Sequence, residues 1–109
     1  DLLNAISKDL GENKLSAIRV DGGMAASNWI MQMLSDLIQL PVDRPKNVET
    51  TALGAAYLAG MQVGFYPSMD DFAKSWKSEK QFNSKMADDL RERKLAGWKD
   101  AVSRTLSNK

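Results

Sequence analysis

Apolar positions in the first part of the chain recur at spacings that alternate between those of a helix and those of a strand. Leucine and isoleucine side chains three and four residues apart predict a helix over residues 2–10. A short apolar run between turn residues predicts a buried strand over residues 15–20. A second helical pattern runs from Ala25 to Leu40, and Ser27 is a possible N-cap for it.

The pattern changes after this second helix, where prolines and small residues become frequent. Residues 41–45 predict a short strand, and the proline at each end suits an edge strand or one that pairs over few residues. Residues Asn47 to Val63 predict a helix that Asn47 can cap. Its middle contains Gly54, and a glycine inside a helix costs about 1 kcal/mol. We therefore expect close backbone contact between this helix and a neighbour.

The last part of the chain is less regular until a long helical pattern begins. Residues 68–71 are expected to start a short helix within the irregular segment 65–85. Met86 to Leu106 predict a long helix, whose charged residues between Asp88 and Lys94, including Arg91, suit a solvated outer face. The apolar residues expected on its inner stripe are Met86, Leu90, Trp98, Ala101, Val102 and Leu106.

The order of these elements is typical of an α/β architecture. The strand, helix and strand over residues 15–45 should form a parallel, right-handed unit. Two short strands make too small a sheet for a complete domain. We therefore expect this chain to be a portion of a larger protein.

Composition narrows the chemistry that the chain can perform. The chain has 109 residues, no cysteine and no histidine, which excludes disulfides, thiolate or imidazole metal ligands and a histidine base. The 15 basic and 14 acidic residues are interspersed, so nucleic acid is not an expected partner. No apolar run approaches the ~20 residues of a membrane span, so we expect a cytoplasmic protein without a membrane partner.

The most informative segment is Val20-Asp21-Gly22-Gly23, where the predicted strand stops and the second helix begins. Glycine lacks a Cβ and tolerates positive φ, so main chain at such a doublet can approach a ligand closely. A helix N-terminus beyond it offers unpaired N–H groups. The doublet is therefore a candidate site for the base, sugar or phosphate of a nucleotide, although most Gly-Gly pairs are only turns.

Four segments taken together resemble the C-terminal end of the FGGY carbohydrate kinases, which share the actin-like ATPase (ribonuclease H-like) fold. The segments are Arg19 to Gly23, Met31-Gln32, Glu49 to Gly60, and Ala96 to Lys99. The resemblance covers nearly the whole chain in the same order. It implies that residues 1–109 are the C-terminal portion of the nucleotide-binding domain, with short parallel strands and several helices.

The resemblance also implies which residues contact the nucleotide. Gly22 and Gly23 correspond to glycines that pass close to the adenosine of ATP. The family often has asparagine four residues after the second glycine; Ser27 stands there in this chain and Asn28 follows, so both are candidate contacts. Asp21 would lie near the phosphates, either as a carboxylate that caps the turn or, with slightly less support, in catalysis.

The members of the family that these segments resemble most transfer the γ-phosphoryl group of Mg·ATP to glycerol and release ADP. Their carboxylate base, glycerol contacts and phosphate-binding loop would lie upstream of Asp1. The resemblance therefore assigns no catalytic residue and no metal ligand to this chain, and we expect the chain alone to be inactive. A portion of a domain exposes strand edges and apolar surface, so we also expect a homo-oligomer.

Two alternatives stay open at this point. A related kinase of the same family, acting on xylulose, gluconate or another polyol, would have similar segments because the substrate residues lie elsewhere. A small α/β interaction module without a nucleotide site would use its aromatic residues over 65–82 to bind a partner.

Overall fold

The computed structural model describes residues 1–11 and 14–106. Helices and strands alternate in the first half, and a long helix ends the described chain. The helices are α1 (Leu2–Asp9), α2 (Asn28–Ile38), α3 (Thr50–Gln62), α4 (Met69–Lys74) and α5 (Asp88–Thr105). The strands are β1 (Ile18–Arg19), β2 (Val42–Pro45) and β3 (Ser78–Phe82), and a 3-10 turn spans Gly23–Ala26. The expected mixture of short strands and several helices is confirmed.

The described sheet has the order β1-β2-β3. Strands β1 and β2 are parallel, with Ile18 opposite Val42, as the strand-helix-strand pattern predicts. Strand β1 is shorter than the predicted strand over residues 15–20 because its pairing with β2 begins at Pro41. The Ile18 N–H donates to the Pro41 carbonyl (N···O 2.8 Å), and proline has no N–H with which to extend the ladder.

The third strand was not predicted, because β3 is almost entirely polar. Only Phe82 is buried among its residues, so it shows no alternating apolar pattern. It pairs antiparallel with β2, with Val42 opposite Phe82 and Asp43 opposite Gln81. Strand pairing, and not local propensity, therefore determines the conformation of this segment.

The hydrophobic core lies between α2 and the sheet. Four buried side chains form it, and half-buried ones from the flanking loops and from α2 pack against them. The buried residues are Ala25, Met31, Val42 and Phe82; the half-buried ones are Val20, Ile30, Leu34, Ile38 and Val48. The core therefore joins the start of α2 to the residues that follow β1.

Helix α3 differs from its prediction in two respects. It begins at Thr50 and not at Asn47; the Asn47 Oδ1 accepts a hydrogen bond from the Glu49 N–H (2.9 Å) in a turn before the helix. A Cβ added at Gly54 would meet nothing within 4 Å, so the expected close contact is not at this glycine; it occurs instead at Gly60, where an added Cβ would overlap the Tyr66 ring. The helix buries only Tyr57. No helix in residues 1–11 and 14–106 combines the length and apolar character needed to cross a membrane.

The inner stripe predicted for α5 is only partly covered among the described residues: Met86 and Val102 are half-buried, and no residue of the helix is fully buried. Leu90, Trp98 and Leu106 are 38%, 57% and 67% exposed. Arg91, expected on the outer face, instead donates from Nε to the Leu37 carbonyl (2.8 Å). Helix α5 packs on α2 near its first turns, and further along the helix the Trp98 Nε1 donates to the Asp1 carboxylate (3.1 Å).

The chain exposes more surface than a self-contained domain of its mass. Its accessible area is 8453 Å², whereas a folded monomer of 12.1 kDa exposes about 6,000 Å². Its radius of gyration is 17.8 Å, against about 13 Å for a compact domain of this length. Large apolar side chains such as Trp29, Val63 and Phe65 are at least 70% exposed. This surface is what a portion of a larger domain leaves uncovered.

Candidate functional site

The glycine doublet lies where the two parallel strands end. The Val20 N–H donates to the Asp43 carbonyl (3.1 Å), and the Gly22 N–H donates to the Val48 carbonyl (2.8 Å). The loop after β1 is thereby joined to the loop after β2. Ligands of α/β proteins bind outside the carboxyl ends of parallel strands, so this corner is a suitable position for a binding site.

The main chain at the doublet is open. Gly22 has φ 85° and ψ 172°, a conformation that is essentially restricted to glycine. A Cβ added at Gly22 or Gly23 would meet nothing within 4 Å. The corner is therefore not covered by a side chain of this chain, as a site for close ligand approach requires.

The 3-10 turn after the doublet explains where α2 begins. Because Gly23 to Ala26 form this turn, α2 starts at Asn28 and not at Ala25. The predicted cap is confirmed: the Ser27 Oγ accepts from the Ile30 N–H (3.3 Å). The Ser27 hydroxyl proton remains able to donate to a ligand.

Asn28 is the first residue of α2 and borders a surface groove that the doublet does not line. It lines a groove of about 340 Å³ together with Trp29, Lys80 and Asn83. The structure thus brings Gly22 and Gly23 together with Ser27, and it places Asn28 at the edge of the site.

Asp21 connects the doublet to α3. Its Oδ2 accepts a hydrogen bond from the Thr50 hydroxyl, at the first residue of that helix. This contact is a long-range hydrogen bond to α3, not the local main-chain hydrogen bond expected of a carboxylate that caps its own turn. Within residues 1–11 and 14–106, no group of three or more acidic side chains is arranged to hold a metal ion.

Arg44 is the residue of this corner that the sequence did not reveal. It lies on β2, is 7% exposed, and donates from Nη1 to the carbonyls of Ala25 (3.0 Å) and Ala26 (3.1 Å). Its Nε donates to the Glu79 carboxylate (2.6 Å). One signal was available in the sequence. Arg44 lies two residues after the fully buried Val42 in a short strand, so both side chains point to the same face. A buried arginine needs partners.

A separate cavity of about 310 Å³ lies between α3 and α4. The Arg19 guanidinium is stacked 4.0 Å from the centre of the Trp76 ring at its edge. Leu53 and Phe72 supply apolar walls. The doublet does not line this cavity, but Thr50, whose hydroxyl donates to Asp21, does.

Polar side chains of α2 hold the connection between β3 and α5. The Asp36 Oδ1 accepts from the N–H groups of Lys85 (2.7 Å) and Met86 (3.3 Å) and from Gln32 Nε2 (3.0 Å). Burial alone would raise the pKa of Asp36, but the hydrogen bonds from Lys85, Gln32 and Met86 and the charge of Lys85 outweigh it and lower that pKa. Buried Ser35 adds a hydrogen bond to the Phe82 carbonyl (3.0 Å).

Comparison with known proteins identifies one family. Residues 1–63 match the model of the FGGY family of carbohydrate kinases, C-terminal domain. The chain is 54% identical over 109 residues to a glycerol kinase of Rhizobium rhizogenes, covering 98% of this chain and 22% of that protein. It is 56% identical over 107 residues to a glycerol kinase of Roseobacter denitrificans, again covering 22% of the relative.

Solved structures give the same result. The chain is similar to Plasmodium falciparum glycerol kinase with ADP, with a TM-score of 0.72 and 37% identity, over 99% of this chain and 22% of that chain. It shares its fold with xylulose kinase from Lactobacillus acidophilus, with a TM-score of 0.68 at 19% identity, over 95% of this chain and 22% of that chain. The chain thus spans about a fifth of the length of the proteins it matches.

Proposed function

We propose that this chain, which belongs to the FGGY family of carbohydrate kinases, is part of an ATP-dependent glycerol kinase. Residues 1–109 would form the C-terminal portion of its nucleotide-binding domain. The whole protein would convert ATP and glycerol to ADP and glycerol 3-phosphate, with Mg²⁺ assisting the phosphoryl transfer. The identity of 54% to a glycerol kinase supports glycerol over other substrates of the family.

The open main chain at Gly22 and Gly23 carries this proposal. It lies between the carboxyl ends of two parallel strands, where nothing within 4 Å would meet an added Cβ at either glycine. We propose that this main chain approaches the adenosine of ATP and that the Ser27 hydroxyl donates a hydrogen bond to it. Asn28 stays a prediction for the same contact, at the edge of the site.

The rest of the protein is proposed to supply the catalytic base, the glycerol contacts and the loop that binds the terminal phosphates. It would also cover α3, which has no charged residue along its thirteen residues and buries only Tyr57 in this chain. A helix without a charged face is typical of a buried position. The chain alone should therefore produce no glycerol 3-phosphate from glycerol and labelled ATP.

Self-association and a cytoplasmic location complete the proposal. The outer edge of β1 has no strand beside it among the described residues, and the chain exposes large apolar side chains. Open edges and apolar patches favour association between chains. A cytoplasmic location agrees with the use of ATP and with the absence of cysteine.

The test compares two glycines in the full-length protein. Gly23→Val places a branched side chain where the described residues leave open space, so we expect it to obstruct a bound ligand and not the fold of this chain. We expect the KM for ATP to rise about tenfold or more, because the obstructed contact is worth at least ~1.4 kcal/mol, while the KM for glycerol changes less than about twofold.

Gly97→Val is the matched control. Gly97 lies on the exposed face of α5, and a Cβ added there also meets nothing within 4 Å. This variant should leave both KM values unchanged. Equal KM values for ATP in the Gly23→Val variant and the wild type would contradict a nucleotide site at the doublet.

A further inference from the structure

Arg44 is the only arginine among residues 14–106 that is more than nine-tenths buried, and its guanidinium group is held by three oxygen atoms. Nη1 donates to the carbonyls of Ala25 and Ala26, at 3.0 and 3.1 Å, and Nε donates to a carboxylate oxygen of Glu79 at 2.6 Å. Arginine presents donors in a rigid planar fork, so this set of contacts fixes the relative position of all three acceptors.

The two carbonyls belong to the turn that connects the proposed nucleotide contacts. The turn begins at Gly23, and Ser27 follows it directly. A turn of this length contains few internal hydrogen bonds. One of them is donated by the Ala25 N–H to the Gly22 carbonyl (3.0 Å). Because Arg44 holds the middle of the turn against the sheet, it determines where the main chain of Gly23 and the hydroxyl of Ser27 lie.

An irregularity in the sheet brings Glu79 to this arginine. Arg44 lies opposite Lys80, but Pro45 lies opposite Ser78, so β3 has one residue more than β2 at Glu79. Such a bulge turns a side chain away from the regular alternation, and bulges are frequent beside functional sites. Proline suits this position because it does not have to donate to the ladder. The Glu79 carboxylate thereby reaches the guanidinium.

We infer that Arg44 is a positioning residue for nucleotide binding, held in place by Glu79, and this inference rests on the function proposed above. The guanidinium touches no ligand in this account. It orders the turn before the nucleotide arrives, so the main chain at the doublet does not have to be ordered when ADP or ATP binds.

The experiment measures ADP binding to the full-length protein by calorimetry. Arg44→Met should raise the Kd for ADP about tenfold, equivalent to ~1.4 kcal/mol, because the freed turn must be ordered on binding. Arg44→Lys keeps the charge without the fork and should raise the Kd about threefold. Glu79→Gln keeps an acceptor on an exposed side chain and should raise it less than about threefold. The Kd for glycerol should stay unchanged in all three variants.

Arg91→Met is the matched control. Arg91 also donates to a main-chain carbonyl, that of Leu37 (2.8 Å), but near the C-terminal end of α2. It should lower the melting temperature without changing the Kd for ADP. A merely structural role for Arg44 predicts the same behaviour for Arg44→Met.

The outcomes separate this inference from the proposed function. If the wild type binds ADP and the variants of Arg44 and Glu79 bind it equally well, the inference is overturned while the proposed function stands. If the wild type binds ADP but does not phosphorylate glycerol, the proposed substrate is wrong and the graded order of Kd values still supports the inference. A wild type that binds no ADP would overturn both. If Arg44→Met fails to fold, the Kd for ADP of the other proteins tests the inference. It should increase in the order wild type, Glu79→Gln, Arg44→Lys, and equal values would overturn the inference.

Discussion

Helices α2 and α3 each follow a strand of the parallel pair, yet the described residues cover α2 far better than α3. Helix α2 packs on the sheet and buries Met31, Ser35 and Asp36. Helix α3 is two residues longer, at 13 against 11, and buries only Tyr57. Its other apolar side chains, among them Leu58 at 59% exposure, face solvent.

The difference shows that the two helices find their partners at different distances along the sequence. The elements that pack against α2 are the strands on either side of it and the segment that leads into α5, all within the described residues. Helix α3 has no charged residue and so resembles a buried helix in sequence, but among the described residues only its Tyr57 is buried. The predictions below test this contrast.

The largest expected effect is on the core beneath α2. Phe82 is 4% exposed, and Phe82→Ala should lower the free energy of unfolding by about 3–5 kcal/mol, because it removes buried apolar area and leaves a cavity. Phe65, which is 78% exposed just after α3, is the matched control, and Phe65→Ala should change the chain's stability by less than about 0.5 kcal/mol. Urea denaturation of the 109-residue chain measures both; similar losses would remove the contrast.

The second prediction compares the chain with the full-length protein. Leu58→Asp should change the stability of the chain by less than about 0.5 kcal/mol, since the side chain is exposed there. In the full-length protein we expect a loss of about 3 kcal/mol or more, because a charge would be buried without a partner beneath the remaining domain. A small loss in both would mean that α3 faces solvent in the whole protein as well.

The smallest expected effect concerns the polar contacts of α2. Asp36→Asn should destabilise the chain by about 1 kcal/mol at neutral pH, since an uncharged oxygen accepts the same main-chain hydrogen bonds less strongly. Because the pKa of Asp36 is lower in the folded state than its ordinary 3.8, its contribution is complete above that value and is lost as the pH falls below it through the folded pKa.

The asparagine variant should therefore lose less stability than the wild type between neutral pH and pH values below 3.8. Asp9→Asn, which changes an exposed carboxylate at the end of α1, is the control and should leave the stability at neutral pH nearly unchanged. Identical acid sensitivity of the wild type and Asp36→Asn would show that this carboxylate does not contribute.

The sequence predicted features whose signals are local. The cap at Ser27 and the parallel pairing of the strands on either side of α2 follow from residues close together in the chain. Strand β3 was missed because Phe82 is its single buried residue. The contacts of Arg44 depend on a bulge in β3 and a 3-10 turn, neither of which has a sequence signal here. The apolar residues on one side of α5 predicted that another segment packs against them, but a sequence pattern does not tell whether that segment belongs to the same chain.

The residues of the candidate site also differ in whether a local sequence signal could reveal them. The glycine doublet was visible because only glycine suits the conformation at Gly22, and the structure confirms a positive φ there. Ser27 was found through its cap and through resemblance. Asn28 follows Ser27 directly, but it lines a groove that neither the doublet nor Ser27 lines, and sequence proximity alone could not reveal that.

Hydrogen exchange of the full-length protein, with and without ADP, tests the central claim most directly. The N–H groups of Gly23 and Met24 begin the 3-10 turn and have no acceptor within residues 14–106, so they should exchange rapidly without nucleotide. The account predicts that saturating ADP slows exchange over Gly22 to Asn28 while leaving the exposed face of α5 unchanged. Unchanged exchange at the doublet, in a protein shown to bind ADP, would contradict it.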